Sequence, residues 1–171
     1  MFADSLILEA KALAYARQNS IRLNRKKLIG YGSDGTVWKS SRNTAVKALR
    51  HTEGYTKELE CYKRLMAEGV TEIRGFSVPQ LIGSDQELQV IEMKIVTPPY
   101  ILDFAKVYFD TPPDFSAETW AYWNDERAEW FGAERWKKVE LLLSALNWYG
   151  IYYVDPRPGN IMLGDEDSLE D

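Results

Sequence analysis

The sequence predicts an α+β protein of two lobes: a five-stranded antiparallel sheet with one helix, then a reduced helical lobe. Three observations predict it. Five short β-prone runs lie between residues 27 and 93, with one helical run among them. The residues beyond Thr97-Pro98-Pro99 carry helical spacing instead. The chain of 171 residues is 45% hydrophobic and 27% charged, enough to build one domain or two small lobes with proper cores.

The elements follow in order. Residues 3–18 read as an amphipathic helix, capped by Asp4 or Ser5, with Leu6, Ala10, Leu13 and Leu8, Ala12, Tyr15 at i, i+3/i+4 spacing. Strands are expected at Lys27–Tyr31, Thr36–Ser40 and Thr44–Leu49, joined by a glycine-rich turn and by Ser41-Arg42-Asn43. Residues 55–68 form a helix stopped by Gly69. Strands at Gln80–Ser84 and Leu88–Met93 complete the sheet. After the Pro-Pro hinge, 100–109 is a short helix or an extended piece, 116–130 and 133–148 are helices, and Ile161–Leu163 is a short strand. The expected organisation is an N-terminal helix and lead-in (1–26), a first lobe (27–96) and a partial second lobe (97–171), with a cleft at the hinge.

Composition excludes several classes. One cysteine, Cys61, forms no internal disulfide, and one histidine, His51, joins no Cys/His zinc cluster. No apolar run reaches the roughly 18 residues of a membrane span, and the N-terminus lacks the pattern of a signal peptide. The expectation is a cytoplasmic protein with no membrane association. Residues 1–51 hold ten Lys/Arg against three Asp/Glu, a net of +7, whereas 52–171 hold eleven against twenty-three, a net of −12. A basic first third suits a phosphorylated ligand or simple attraction to the acidic remainder. No nucleic-acid motif accompanies it, so nucleic acid is disfavoured as a partner. Trp120, Trp123, Trp130 and Trp136 crowd one 17-residue window. That is apolar payload for a helical layer, or a surface for a protein partner at 120–136.

Four constellations carry chemistry. Gly30-Tyr31-Gly32-Ser33-Asp34-Gly35-Thr36-Val37 matches G-x-G-x-x-G-x-V between two strands, where backbone N–H groups can lie over phosphates because no Cβ blocks them; a hairpin without ligand is the plainer reading. Lys47 is centred in the third strand, in Ala45-Val46-Lys47. Glu58, with Glu60 as competitor, lies on the next helix and can hold the Lys47 ammonium ready for phosphate oxygens. Asp155 and Asn160 lie five residues apart in the proline-stiffened Asp155-Pro156-Arg157-Pro158-Gly159-Asn160. There a carboxylate orients a hydroxyl, an amide binds Mg²⁺, and Arg157 neutralises phosphoryl charge. A capped proline turn is the plainer alternative.

Together, in this order, the four resemble the protein-kinase-like family over roughly residues 27–163. The resemblance implies that Gly30, Gly32, Ser33 and Gly35 cover ATP phosphates. Lys47, paired with Glu58, contacts the α- and β-phosphates. Val37 and Ala45 sandwich the adenine, Ile91 is at the gatekeeper position, and the Glu92 carbonyl and Lys94 amide face the adenine edge. Asp155 is then the catalytic base, Arg157 takes the place of the loop lysine, and Asn160 holds Mg²⁺. The departures are equally specific. Tyr153-Val154 replaces the usual His-Arg, and D-P-x-P-G-N is closer to the atypical, ABC1-like and small-molecule branches. No D-F-G follows the loop. The acids after it are Asp165, Asp167 and Asp171, of which Asp171 stands nearest the required place if Ile161–Leu163 and Ser168–Glu170 form a shortened hairpin.

The expected function is therefore an ATP- and Mg²⁺-dependent phosphotransferase acting on a hydroxyl of a protein, of itself or of a small molecule. The alternative is a pseudokinase acting as a nucleotide-binding or protein-interaction module, favoured by the absent D-F-G and the missing activation segment.

Overall fold

The computed structural model describes residues 2–104 and 106–164. It is α+β, with four helices and antiparallel sheets among the described residues. The chain divides into two compact units: Met1–Ala67 with Pro79–Ile95, and Glu68–Val78 with Val96–Asp171.

The first unit holds a five-stranded antiparallel sheet of β1 (Leu23–Tyr31), β2 (Gly35–Ser40), β3 (Thr44–Leu49), β6 (Leu81–Asp85) and β7 (Val90–Lys94), in the order β1-β2-β3-β7-β6. The β2–β3 turn closes with Asn43 N–H donating to the Ser40 carbonyl at 3.1 Å. Asn43 adopts φ 60°, a conformation its short polar side chain tolerates.

Register sorts this sheet into two faces. Val37, Lys47 and Ile91 are cross-strand partners on one face; Trp38, Val46 and Glu92 align on the other. The second face is covered by α1 (Phe2–Gln18), whose Leu8, Ala12, Tyr15 and Ala16 form a core with Trp38, Val46, Ala48 and Val90. Lys11 adds a polar tie, its Nζ donating to the Leu49 carbonyl at 2.9 Å. On the Lys47 face, α2 (Thr52–Ala67) buries Tyr55, Glu58, Leu59, Tyr62 and Leu65, an i, i+3/i+4, i+7, i+10 stripe. Its outer face carries the i,i+4 pairs Glu53–Lys57 and Glu60–Arg64. Gly69, at φ 66°, follows its end.

The second unit holds two small sheets and two helices. The strands β4 (Glu72–Ile73), β5 (Phe76–Ser77), β8 (Tyr100–Ile101) and β11 (Ile161–Met162) pair in the order β11-β8-β5-β4. The strands β9 (Val107–Phe109) and β10 (Ile151–Tyr153) pair antiparallel. Of residues 100–109, expected as a helix or an extended piece, Tyr100–Ile101 and Val107–Phe109 are short strands. The two-residue β4 and β5 are too short for any periodicity to announce. β11 pairs with β8; Ser168–Glu170, the partner expected in a shortened hairpin, lie outside the described residues. Ser116 caps α3 (Ala117–Phe131) by accepting the Thr119 N–H at 3.1 Å. Gly132, at φ 81°, then turns the chain directly into α4 (Ala133–Asn147). Among the described residues no helix is long and apolar enough to cross a membrane.

Candidate functional site

Two constellations, one in each unit, take shape around the sequence-predicted residues.

In the first unit, β3 and α2 bring Lys47 and Glu58 together. The ammonium donates to both carboxylate oxygens, at 2.9 and 2.7 Å, and the two side chains are 9% and 0% exposed. Glu60, the competitor, faces outward and takes Arg64 at 2.9 Å. The helical stripe decides between them: Glu58 falls on the buried face and Glu60 does not. A buried ion pair is weak evidence for stability, since desolvation offsets much of its attraction. Its value lies in holding one ammonium at a fixed place on the sheet.

Gly30 and Val37 are strand partners on the same face, and Ala45 lies one pair along it, opposite Met93. In the glycine turn, Gly32 N–H donates to the Gly35 carbonyl at 3.0 Å. A Cβ on Gly35 would collide with the Ala48 carbonyl oxygen of β3, so glycine is required there by the approach of two strands. A Cβ on Gly32 would meet nothing within 4 Å. Ser33 is exposed at the tip and donates to Asp34 at 3.0 Å.

The adenine-edge assignments need correction. Lys94 N–H donates to the Gln80 carbonyl at 2.9 Å and is committed within the protein. Glu92 is flanked on both sides, by Val46 of β3 and Gly83 of β6, so its backbone is internal to the sheet. Its side chain points to the α1 face, where it accepts Tyr15 Oη–H at 3.0 Å and Thr44 Oγ1–H at 2.5 Å. β7 runs to Lys94, one residue further than expected, before it leaves the sheet. Ile91 is fully buried directly opposite Lys47, in mid-strand.

In the second unit, the loop between β10 and β11 carries Asp155, Arg157 and Asn160. Asp155 is buried and held from both sides: Arg157 Nε–H donates to Oδ1 at 2.8 Å and Lys106 Nζ to Oδ2 at 2.9 Å. Sequence reasoning missed Lys106, because only the β9–β10 pairing brings it beside the loop. Asn160 spends its amide N–H groups on the Tyr153 hydroxyl (3.1 Å) and the Asp155 carbonyl (3.4 Å), so its Oδ1 is the end left for a cation. Asp171, expected as the second metal ligand, lies outside the described residues, as do Asp165 and Asp167.

A different acid lies beside Asn160. Ile101 of β8 pairs with Ile161, and Leu102 N–H donates to the Asn160 carbonyl at 2.7 Å. Asp103 is the next residue and adopts φ 63°, uncommon outside glycine. Phe104 follows, fully buried, with its ring edge-to-face on Tyr153 at 5.8 Å between centroids. Among the described residues no group of three or more His, Cys, Asp or Glu gathers as a metal cluster. Asp103 follows β8 and Asn160 precedes β11, so the two backbone positions lie at the same end of that pairing.

Tyr15 and Cys61 titrate abnormally: burial, then the hydrogen bond and charge of Glu92, push the Tyr15 phenol up, and burial pushes the Cys61 thiol up. No family model and no curated protein matches the chain.

Proposed function

We propose that the protein is an ATP-dependent phosphotransferase of protein-kinase-like type that draws its metal-binding acid from Asp103, ahead of the catalytic loop. The observation that supports this reading is the pairing of β8 with β11, in which Leu102, the residue before Asp103, donates its N–H to the Asn160 carbonyl.

In this reading the glycine turn and Lys47 take the phosphates, and Glu58 keeps the Lys47 ammonium in place. Val37 and Ala45 line the base, with Met93, opposite Ala45, at its back. The adenine edge is read by backbone beyond the sheet, at Ile95 and Val96, in place of Glu92 and Lys94. Asn160 Oδ1 and the Asp103 carboxylate would hold Mg²⁺, which when bound neutralises charge on the phosphate oxygens. Asp155 orients the acceptor hydroxyl and takes its proton as the oxygen attacks the γ-phosphorus; the bond to the β–γ bridging oxygen breaks and ADP leaves. Arg157 stabilises charge on the moving phosphoryl group.

A second reading has its own observation. Both Asp155 oxygens accept from cations, Lys106 and Arg157, an arrangement that also suits an inactive, nucleotide-sensing module. Calorimetric titration of ATP with and without Mg²⁺, followed by a phosphoryl-transfer assay of Asp155→Asn, separates the two. The phosphotransferase reading expects Mg²⁺-dependent binding and a turnover that Asp155→Asn abolishes while ATP affinity stays within a few-fold. Binding indifferent to Mg²⁺, with no turnover to lose, supports the module. No binding at millimolar ATP, weaker than about −4 kcal/mol, overturns both as nucleotide readings.

A further inference from the structure

Segments 17–27 and 39–43 together hold seven Lys/Arg and no Asp or Glu. The fold brings both to one end of the five-stranded sheet. Leu23 of β1 pairs with Ser40 of β2. Ser41 N–H donates to the Arg22 carbonyl at 2.8 Å, and Arg22 N–H to Ser41 Oγ at 3.1 Å. Arg42 Nη2–H reaches back to the Asn19 carbonyl, just beyond α1, at 2.7 Å. Between Leu23 and Leu28 the strand bulges, so that residues 24–27 stand opposite Lys39 alone. Asn24 Oδ1 folds that bulge by accepting the Lys26 N–H at 3.2 Å.

Arg17, Arg22, Arg25, Lys26, Lys39 and Arg42 are all exposed. Arg25 is paired with Glu9 at 2.6 Å; among the described residues the other five have no ion pair. Two plainer uses of this charge fail. It does not serve the glycine turn, which lies at the other end of β2, where Tyr31 pairs with Thr36. The six residues of β2, at about 3.3 Å each, put the two ends roughly 17–20 Å apart. Protection of an edge strand accounts for Arg25 and Lys26 on β1, but not for Lys39 on the inner strand β2, Arg42 in a turn or Arg17 on α1.

The surroundings select the anion. The apolar residues of these segments turn inward: Ile21 is 6% exposed, and Leu23 packs against the core under α1. The exposed residues among the cations are small and polar, Ser20, Asn24, Ser41 and Asn43. A protein interface has apolar or aromatic anchors at its centre, where charge is depleted. Attachment to a membrane surface adds apolar side chains that enter the lipid. Cations interleaved with neutral hydrogen-bonding side chains, with no acid, instead suit the phosphates and sugars of a nucleic acid. Neither segment holds an aromatic residue to stack on a base.

We propose that this end of the sheet binds the phosphate backbone of nucleic acid, by charge and without reading sequence. The proposal is independent of the nucleotide reading, since none of these residues belongs to the Lys47 site or to the loop of Asp155. No sequence motif announced such a partner, and a surface that meets only phosphates needs none.

The test follows the anisotropy of two labelled duplex DNAs of about 20 bp and unrelated sequence, titrated with the full chain between about 50 and 200 mM salt. The wild type binds both with affinities within about twofold, and log Kobs falls against log salt with a slope of about −3 to −5, as four or five phosphate contacts require. Lys26→Gln with Lys39→Gln weakens binding at least about tenfold at the lowest salt and reduces the slope by about 2. Both side chains are exposed, so the urea midpoint stays in place. Lys26→Arg with Lys39→Arg keeps affinity and slope. Lys63→Gln, exposed on α2, leaves both unchanged. No binding at about 50 mM salt, or a slope that Lys63→Gln lowers as much as the double variant, overturns the surface. A preference between the two sequences beyond about tenfold overturns binding by charge alone. Poly-glutamate and phosphatidylserine vesicles are run as competitors at matched charge; tighter binding to either overturns nucleic acid as the occupant.

Discussion

Asp103 and Asn160 are neighbours across a single strand pairing: the N–H of Leu102, immediately before Asp103, donates to the Asn160 carbonyl at 2.7 Å. Two residues far apart in sequence thus stand at the same end of one short ladder. Phe104 continues the relationship by packing on Tyr153, whose hydroxyl accepts from the Asn160 amide at 3.1 Å. The acid, the amide and the aromatic pair beneath them form one local unit that does not depend on the order in which the chain visits them.

Asp103→Asn tests that unit. Asparagine tolerates the left-handed backbone found at Asp103, so the variant removes the carboxylate charge without backbone strain. The Mg²⁺-dependent gain in ATP affinity should fall about tenfold or more, about 1.4 kcal/mol, while binding without Mg²⁺ is unchanged. Titration calorimetry at matched ionic strength reads both. Equal Mg²⁺ dependence in the two proteins would remove Asp103 from the metal site.

The glycine turn separates packing from ligand approach. Gly35→Ala drives a methyl into the Ala48 carbonyl oxygen and should cost about 1–3 kcal/mol in chemical denaturation. Gly32→Ala meets nothing within 4 Å, so its denaturation midpoint should match the wild type. If the turn covers phosphates, the same Gly32→Ala should weaken ATP binding several-fold. Unaltered affinity would make the turn an ordinary hairpin.

Tyr15 links α1 to β7 through Glu92 and gives a pH dependence of known sign. Burial, the hydrogen bond and the charge of Glu92 raise its folded pKa above the usual phenol value of about 10. The unfolded chain therefore loses this proton first as pH rises. The stabilisation is complete below about pH 10 and is lost progressively above it. Tyr15→Phe should lose about 1–3 kcal/mol near neutrality, because buried Glu92 is left short of a donor. It should also flatten the decline between pH 9 and 11 in urea unfolding. A wild-type curve no steeper than that of the variant would contradict the linkage.

Sheet and helices were legible where period and burial agree. The sequence left Glu58 and Glu60 as competitors; the structure buries Glu58 in the same stripe as Tyr55, Leu59 and Tyr62. That Glu92 and Lys94 are engaged within the protein could not be read from the sequence, because it depends on where β7 leaves the sheet, and β7 pairs with a β6 whose register shifts between Leu81 and Gly83. The closeness of Asp103 to the loop could not be read from the sequence, since it comes from β8 pairing with a strand some sixty residues later. Trp123 and Lys106 were hidden for a related reason: each reaches the loop through space, by an indole N–H to Val154 and an ammonium to Asp155. Composition signals an aromatic surplus but not which carbonyl it serves.

Lys47 and Glu58 allow the nucleotide reading to be tested without confusing lost binding with lost folding. Lys47→Ala alone leaves Glu58, 0% exposed, without the cation that accompanies it and should cost about 3–5 kcal/mol. A failure to bind ATP would then say little. Replacing both, Lys47→Met with Glu58→Leu, removes the two charges together and fills similar volume, a change that is often neutral or stabilising. The double variant should unfold at or above the wild-type urea midpoint. If Lys47 carries the phosphates, it should nevertheless bind ATP at least about a hundredfold more weakly, about 2.7 kcal/mol. A stable double variant with wild-type affinity would show that the ion pair belongs to the core alone.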